Sequence, residues 1–422
     1  MALILAACGA WSCTPRAPAG EVPPKAADPS AKPADAEQAK AKDAKDAKAK
    51  KGKSAKAAEE PSGPPWASTT FSPHPGSVGD DRLTALADAC GAGDAALHAV
   101  ALAAAKRQAE TGEPMELEEV TFEMRRQGAP YVMPRMWAAT ASAETLPQLP
   151  GYVATWANAA PLLGQRRCGA GAEDKAGSLV ISVVAVDVLA ELEPLPTQVE
   201  LGTRLDLGAH LAHSPTAASI ILLPPTGAPF SITAELERAH LTARFTPSAP
   251  GPWLLQVMAT HVGGPRPVAQ AVITVGSDPP VGFAQTEVPG EEDFDPKLPA
   301  DEALLSLLNA ARREHRLPVL ARNRRLDRVA QEHCRAMKAR GHVSHDTGAG
   351  DPARRVEESG LRPQATGENV ALARTVLRLH RVLWASPSHR ENSLLRRWDE
   401  VGVAVVEKDD GSLLATEVFI DL

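Results

Sequence analysis

Ser344-His345, Gly367-Glu368-Asn369 and Trp384-Ala385-Ser386-Pro387-Ser388-His389-Arg390-Glu391-Asn392 follow one another, after Asn309-Ala310-Ala311-Arg312, in the last third of a 422-residue chain. Together they carry two histidines and one carboxylate at spacings that a single domain can fold onto one site. Histidine and glutamate share protons and metal ions, and each is costly to bury without a partner. The intervening sequence predicts the elements that would bring them together. Asp301 to Leu317 has an apolar stripe at Leu304, Leu305, Leu308 and Ala311, and Leu326 to Ala339 repeats the pattern with Val329, Ala330, His333 and Met337, so both read as amphipathic helices. Gly341 is a stop signal just before Ser344-His345. Thr375 to Trp384 reads as a third helix, and Ser386-Pro387 suits a new N-cap and first turn, which places His389 in the first turn of a short helix. Val401 to Val405 alternates, Asp409-Asp410-Gly411 supplies a turn, and Leu413 to Ile420 completes a hairpin. Helices followed by an antiparallel hairpin predict an α+β domain.

The four patches resemble those of the CAP superfamily (cysteine-rich secretory, antigen 5 and pathogenesis-related proteins), and the Ser-His, Gly-Glu-Asn and Ser-Pro-x-His-Arg-x-Asn forms are similar to its bacterial branch. The resemblance covers about residues 300–422. It implies a three-layer α-β-α sandwich with a His/Glu cleft, in proteins that are typically secreted and have no agreed enzymatic activity. His345 matches the family's first cavity histidine, Glu368 the Gly-Glu-Asn glutamate, and His389 the second histidine. Eukaryotic members carry a second glutamate three residues after the helix tryptophan. Here Pro387 stands at that spacing from Trp384, so the tetrad is reduced to a triad.

His345, Glu368 and His389 are therefore the candidate cleft residues, with Asn369, Arg390 and Asn392 as hydrogen-bonding braces. The same triad is the candidate ligand set for a divalent metal such as zinc, and Glu368 the one candidate catalytic group. His315, His333 and His380 sit at helical spacing among apolar residues and read as ordinary structural histidines. Trp384 reads as core.

Outside this domain, aromatic residues are only 4% of a chain with 31 glycines and 37 prolines, which suggests linked modules over one large core. A net charge of −7 gives no general attraction to nucleic acid, and no apolar run is long enough to span a bilayer. Residues 1–13 read as a truncated lipoprotein signal, in which Leu5-Ala6-Ala7-Cys8 is a lipobox and the Cys8 thiol would take a lipid anchor to a membrane. Residues 14–78 read as a disordered Pro-, Ala- and Lys-rich tether.

Residues 79–195 are expected to hold a degenerate CAP-like α+β domain. Cys168-Gly169 through Gly177-Ser178 parallels Val401-Gly402 through Gly411-Ser412, Trp156 parallels Trp384, and Gly128 parallels Gly360. In that register Met136 stands where Glu368 should be and Pro161 where His389 should be. Cys90 and Cys168 are candidates for a disulfide between its helical part and its sheet. Residues 196–277 predict an immunoglobulin-like β-sandwich in which Phe245-Thr246-Pro247 and Pro250-Gly251-Pro252-Trp253 turn between core strands; no cluster of ionisable residues is expected there, and its role reads as a spacer. Residues 278–299 read as a linker to the CAP domain at 300–422. These readings predict an extracytoplasmic protein, either an outer-membrane or cell-surface lipoprotein or a secreted one. It would bind an extracellular ligand (a glycan, lipid or protein) through the His/Glu cleft, the alternative being a metal-dependent hydrolase using the same cleft.

Overall fold

The computed structural model describes residues 66–76, 80–142, 144–261, 264–285 and 287–422. Cys8 and the greater part of the expected tether lie outside them. The last part of that tether is ordered, which corrects the boundary at residue 78: Thr70–Phe71 pairs with Leu195–Pro196, Phe71 is fully buried, and the Trp66 ring stands edge-on to it at 6.2 Å. Two aromatic side chains give this segment apolar area that the Ala/Lys run before it lacks.

The first α/β unit runs α1 (Asp81–Cys90), β1 (Ala92–Gly93), α2 (Ala95–Thr111), α3 (Leu117–Arg126), β2 (Arg135–Ala141), α4 (Leu149–Asn158), β3 (Gln165–Lys175) and β4 (Ser178–Val188). Its sheet has the order β1-β3-β4-β2, with β1 parallel to β3 and the other pairs antiparallel. One face of the sheet packs on α1 and α4 through Leu86, Leu149, Val153, Trp156, Ile181 and Val183. The other packs on α2 and α3 through Leu97, Val100, Val120, Met124, Met136 and Val184. Cys90 and Cys168 are joined by a disulfide, Cα–Cα 6.0 Å, between α1 and β3.

The two sheets of the sandwich are built, among the described residues, from β5 (Ala190–Leu192), β6 (Gln198–Val199), β7 (Leu205–Leu211), β8 (Ala217–Leu223), β9 (Phe230–Ile232), β10 (Ala234–Glu237), β11 (His240–Phe245), β12 (Gly251–His261) and β13 (Gly264–Val275). They form a five-stranded sheet, β9-β8-β12-β13-β6, and a four-stranded sheet, β10-β11-β7-β5, whose inner faces share one core that includes Leu207, Leu222, Leu241, Phe245, Trp253 and Ile273. Phe245 and Trp253 meet at 5.7 Å, and Trp253 Nε1 donates to the Ala249 carbonyl at 2.9 Å, so the Pro-Gly-x-Trp segment turns the chain between core strands.

The last unit runs α5 (Ala300–Glu314), β14 (Ala321–Arg322), α6 (Arg324–Arg340), α7 (Pro352–Glu358), β15 (Ala365–Ala373), α8 (Val376–Ala385), α9 (Pro387–Leu394), β16 (Glu400–Glu407) and β17 (Leu413–Asp421). The sheet order is β14-β16-β17-β15, again with one parallel edge pair. Leu304 and Leu308 of α5 and Leu379 and Leu383 of α8 cover one face, while Leu326, Val329 and Met337 of α6 and Val356 of α7 cover the other. Helices on both faces of a four-stranded sheet make a three-layer α-β-α arrangement.

Apart from α9, which has no counterpart in the first unit, the two α/β units follow the same order of elements and also agree in finer detail. Asp94 caps α2 by accepting from the Leu97 N–H, and Asn323 caps α6 by accepting from the Leu326 N–H. One residue further on, the His98 ring nitrogen accepts from the Ala170 N–H, and Asp327 accepts from the Val403 N–H. Gly169 and Gly402 allow each helix to lie against the strand backbone: a Cβ would overlap main-chain atoms of Leu97 and His98 in one unit, and of Leu326 and Asp327 in the other. Interiors do not absorb such overlap. Gly169→Ala and Gly402→Ala are each expected to lower stability by about 2–3 kcal/mol or more, measured as the shift of the urea unfolding midpoint; an unshifted midpoint in either variant would show that this close approach does not matter there.

Candidate functional site

Glu368, in the middle of β15, is the centre of the site. Its side chain is buried because β15 lies between β17 and the α6–α7 layer. His345, in the loop after α6, places Nδ1 2.8 Å from Glu368 Oε1. Arg355 of α7 brings its guanidinium to 2.8 Å from Oε2, as an ion pair rather than an aligned hydrogen bond. The same guanidinium donates to the His345 carbonyl at 3.0 Å, which fixes the loop that carries the histidine. Burial pushes the Glu368 carboxyl up, but His345, Arg355 and His333 outweigh it and hold it below the usual glutamate value.

His333 was read from sequence as an ordinary core histidine. The structure places it in the site: its Nε2 lies 3.7 Å from Glu368 Oε1 and 2.8 Å from the Ser344 carbonyl. Burial pushes its pKa down against the pull of Glu368, so the neutral ring can donate to Ser344 and hold the Ser344-His345 turn. Arg355 and His333 were both missed in the sequence because their partners are remote in the chain.

His389 sits in the first turn of α9, as expected, but its environment differs from that of His345. Its Nδ1 is buried with no hydrogen-bond partner. Burial, with the nearby His345, pulls the ring down to about 3, so His389 is neutral at physiological pH. Asn369 donates to the His389 carbonyl at 3.2 Å and to Glu417 Oε2 at 2.9 Å, and Asn392 donates to the Glu368 carbonyl at 3.2 Å and to Asn369 Oδ1 at 3.1 Å. Arg390 stacks over Trp384, 4.5 Å from the ring centroid, and donates to the Trp384 carbonyl. Cys334 is buried beside Thr416 and its thiol is pushed up to about 12, which leaves no thiolate for chemistry.

The donor set around Glu368 is poorly suited to a divalent ion. Among the described residues, the group of three His, Cys, Asp or Glu side chains whose ligand atoms lie within 4.8 Å of one another is not this triad. Arg355 already supplies a positive charge to one oxygen of Glu368, and His345 takes the other. A second cation there would meet a fixed guanidinium, so the residues do not fit the metal site expected from His345, Glu368 and His389.

Beside His389 lies a half-open cavity of about 790 Å³. Apolar side chains line most of it: Phe122 from α3, Leu223, Leu254 and Val272 from the β-sandwich, Phe283, and Val382 from α8. Arg125, Arg390 and His389 supply polar groups. Among the described residues nothing pairs with the Arg125 side chain: its Nε is buried without a partner, and burial lowers it to about 10.

Residues 305–420 match the family model of the cysteine-rich secretory proteins, CAP. These residues form a CAP-like domain. Similar solved structures include an extracellular SCP-domain protein from Bacillus anthracis (20% identity, 43% of this chain and 64% of that one, TM-score 0.27). An outer surface protein from Borrelia burgdorferi is 20% identical over 29% of this chain and 92% of that one, with a TM-score of 0.28. A cysteine-rich secretory protein from Staphylococcus aureus is 13% identical over 56% and 81%, with a TM-score of 0.26. The chain thus spans 64% of the length of the first of these. No curated protein matches it.

Within the CAP-like domain, Glu417 of β17 is a further buried carboxyl that the sequence reading passed over. Burial raises it to about 7, opposed by the Asn369 hydrogen bond. The folded state holds its proton between the unfolded value near 4.5 and about 7, so this residue makes stability fall as pH rises through that window. Glu417→Gln, which keeps an acceptor for Asn369, is expected to raise stability at pH 8 by about 1–3 kcal/mol relative to its effect at pH 4.5. Chemical denaturation at the two pH values checks this, and an equal effect at both would contradict it.

Proposed function

We propose that this chain is an exported, extracytoplasmic binding protein whose ligand is an amphiphile with an apolar body and an anionic end. The observation that carries this reading is Arg125, an unpaired guanidinium at the wall of a largely apolar cavity of about 790 Å³. That volume is ordinary for a small-molecule site. A half-buried guanidinium whose Nε is buried without a partner favours an acidic ligand group that completes its hydrogen bonds. In this reading the His345–Glu368–Arg355 cluster is a brace. It holds the loop and strand against which Asn369 and Asn392 fix α9, and α9 presents His389 and Arg390 to the cavity. A hydrolase at the same place would need Glu368 free as a base or ligand, and its ion pair with Arg355 disfavours that.

Three features support the wider architecture we propose, in which a degenerate CAP-like unit (79–195), an immunoglobulin-like sandwich (196–277) and the CAP domain (300–422) follow one another. The two α/β sheets have the same strand order and sense. The cap and close-approach positions correspond. Met136 pairs with Val184 as Glu368 pairs with Val418, so the first unit has a thioether where the second has its central carboxylate. The Cys90–Cys168 disulfide supports an oxidising compartment, in keeping with secretion or lipid anchoring at Cys8.

Uptake of cis-parinaric acid, a fluorescent fatty acid, tests the binding reading in the full chain. Stoichiometric uptake that weakens about tenfold or more in Arg125→Met, and is blocked by the cavity-filling Val382→Trp, is the expected result. No uptake by the parent chain, or uptake indifferent to both substitutions, would overturn it.

A further inference from the structure

The β-sandwich was expected to hold no cluster of ionisable residues, and the structure corrects that. Glu193, His210 and His240 converge on the outer face of the four-stranded sheet, with their ligand atoms all within 4.8 Å of one another. We propose that they form a surface site for a zinc-class divalent ion, bound through Nε2 of both histidines and a carboxylate oxygen of Glu193.

The sheet register builds the site. His240 of β11 is paired directly with His210 of β7, so both side chains leave the same face, and their rings stack with centroids 4.5 Å apart and planes 17° apart. His240 Nε2 lies 2.9 Å from Glu193 Oε1 and His210 Nε2 lies 3.7 Å from the same oxygen. Ligands around a tetrahedral zinc ion with bonds of about 2.0–2.1 Å stand about 3.3 Å apart, which those two separations bracket. The longer one is beyond a hydrogen bond, so the Glu193 oxygen serves His240 and leaves the exposed His210 Nε2 free of a protein partner among the described residues. Once the two stacked rings turn so that their in-plane Nε2 lone pairs aim at one point, a cation there would bind all three, in place of the proton between His240 and the carboxylate.

A second observation comes from Gly208. Glu193 follows β5 and donates its N–H to the Gly208 carbonyl at 2.9 Å. Its carboxylate lies over the bare face of that glycine, and a Cβ there would overlap the carboxyl group. The bare face of residue 208 leaves room for the carboxylate in the position from which it reaches the histidines, and a side chain there would displace it. The neighbouring positions strengthen the case. Glu191 pairs with His210 and Glu237 with His240, so an acidic residue flanks each histidine in one row across the sheet. The alternating residues Leu192, Ala209 and Leu241 point into the core. Imidazole donors select zinc-like ions over magnesium or calcium, and three protein ligands leave a position for water. Such an ion would staple the strand that leaves the first α/β unit to the middle of the sandwich.

Zinc chloride titrated calorimetrically into the metal-free full chain tests the site, with magnesium chloride as the comparison. One zinc ion per chain is expected. His210→Ala and His240→Ala should each weaken it at least tenfold. Gly208→Ala should weaken it similarly, and magnesium should give no saturable binding. The His345→Ala/His389→Ala double variant, altered only in the CAP-like domain, should bind as the parent does. These sandwich residues are exposed or half-buried at the surface, so the histidine variants keep the fold, which circular dichroism verifies. Absence of zinc binding, or zinc binding unchanged by both histidine substitutions, would overturn the proposal. Loss confined to the His345→Ala/His389→Ala variant would overturn it equally, by placing the ion in the other domain.

Discussion

A buried carboxylate must be matched by positive charge or donors, and in the CAP-like domain this constraint is met at Glu368 by two segments at once. Arg355 comes from α7 and His345 from the loop after α6, while the neutral His333 of α6 holds that loop through the Ser344 carbonyl. Removing one partner of such a pair leaves an uncompensated charge, at a cost of about 3–5 kcal/mol. The loop from 341 to 351 contributes little apolar area of its own, and it is held by polar contacts: the Arg355 bond to the His345 carbonyl and the His333 bond to the Ser344 carbonyl. On the opposite face of β15, Asn369 performs the matching task, tying α9 and β17 to the strand. Glu368 and Asn369 are adjacent, so one strand residue secures each helical layer.

That division has a consequence for chemistry. An electrostatically satisfied Glu368 is a poor general base and a poor metal ligand, because any reaction there must first break its pair with Arg355. His389 has the opposite character. It is neutral, its Nδ1 is unpaired, and it faces the cavity where Arg125 also lacks a partner. Unsatisfied polar groups at the wall of an apolar space are what a ligand with a polar end can complete, whereas the satisfied cluster behind them supplies rigidity.

Much of the C-terminal fold was legible in the sequence, because its helices and hairpin carry regular periodicities and glycine stops. The Ser386-Pro387 helix start placed His389 correctly from local rules alone. Residues whose role depends on packing across elements were harder to see. His333 lies on an apolar helical stripe, where a histidine ordinarily reads as core. Arg355 is one of two consecutive arginines in α7, and only the helix phase sends Arg355 inward while Arg354 pairs with Glu358 at the surface. Glu417 did leave a signal, a carboxylate flanked by Thr416 and Val418 inside an otherwise apolar strand. His210 and His240 are separated by three intervening strands, β8, β9 and β10, so nothing short of the sheet register joins them. The internal likeness of the two α/β units was visible at Cys168-Gly169 and Val401-Gly402 because a strand glycine under a helix cannot drift without cost.

The central claim is that Glu368 is a permanently ionised brace. Carbon-13 NMR titration of glutamate carboxyl groups in the full chain, with the Glu368 signal assigned by its loss in Glu368→Gln, measures this directly. The account predicts that Glu368 titrates below the ordinary glutamate value and stays ionised throughout the neutral range. A Glu368 carboxyl that takes up its proton near or above neutrality would contradict it, and would return the residue to the role of acid or base.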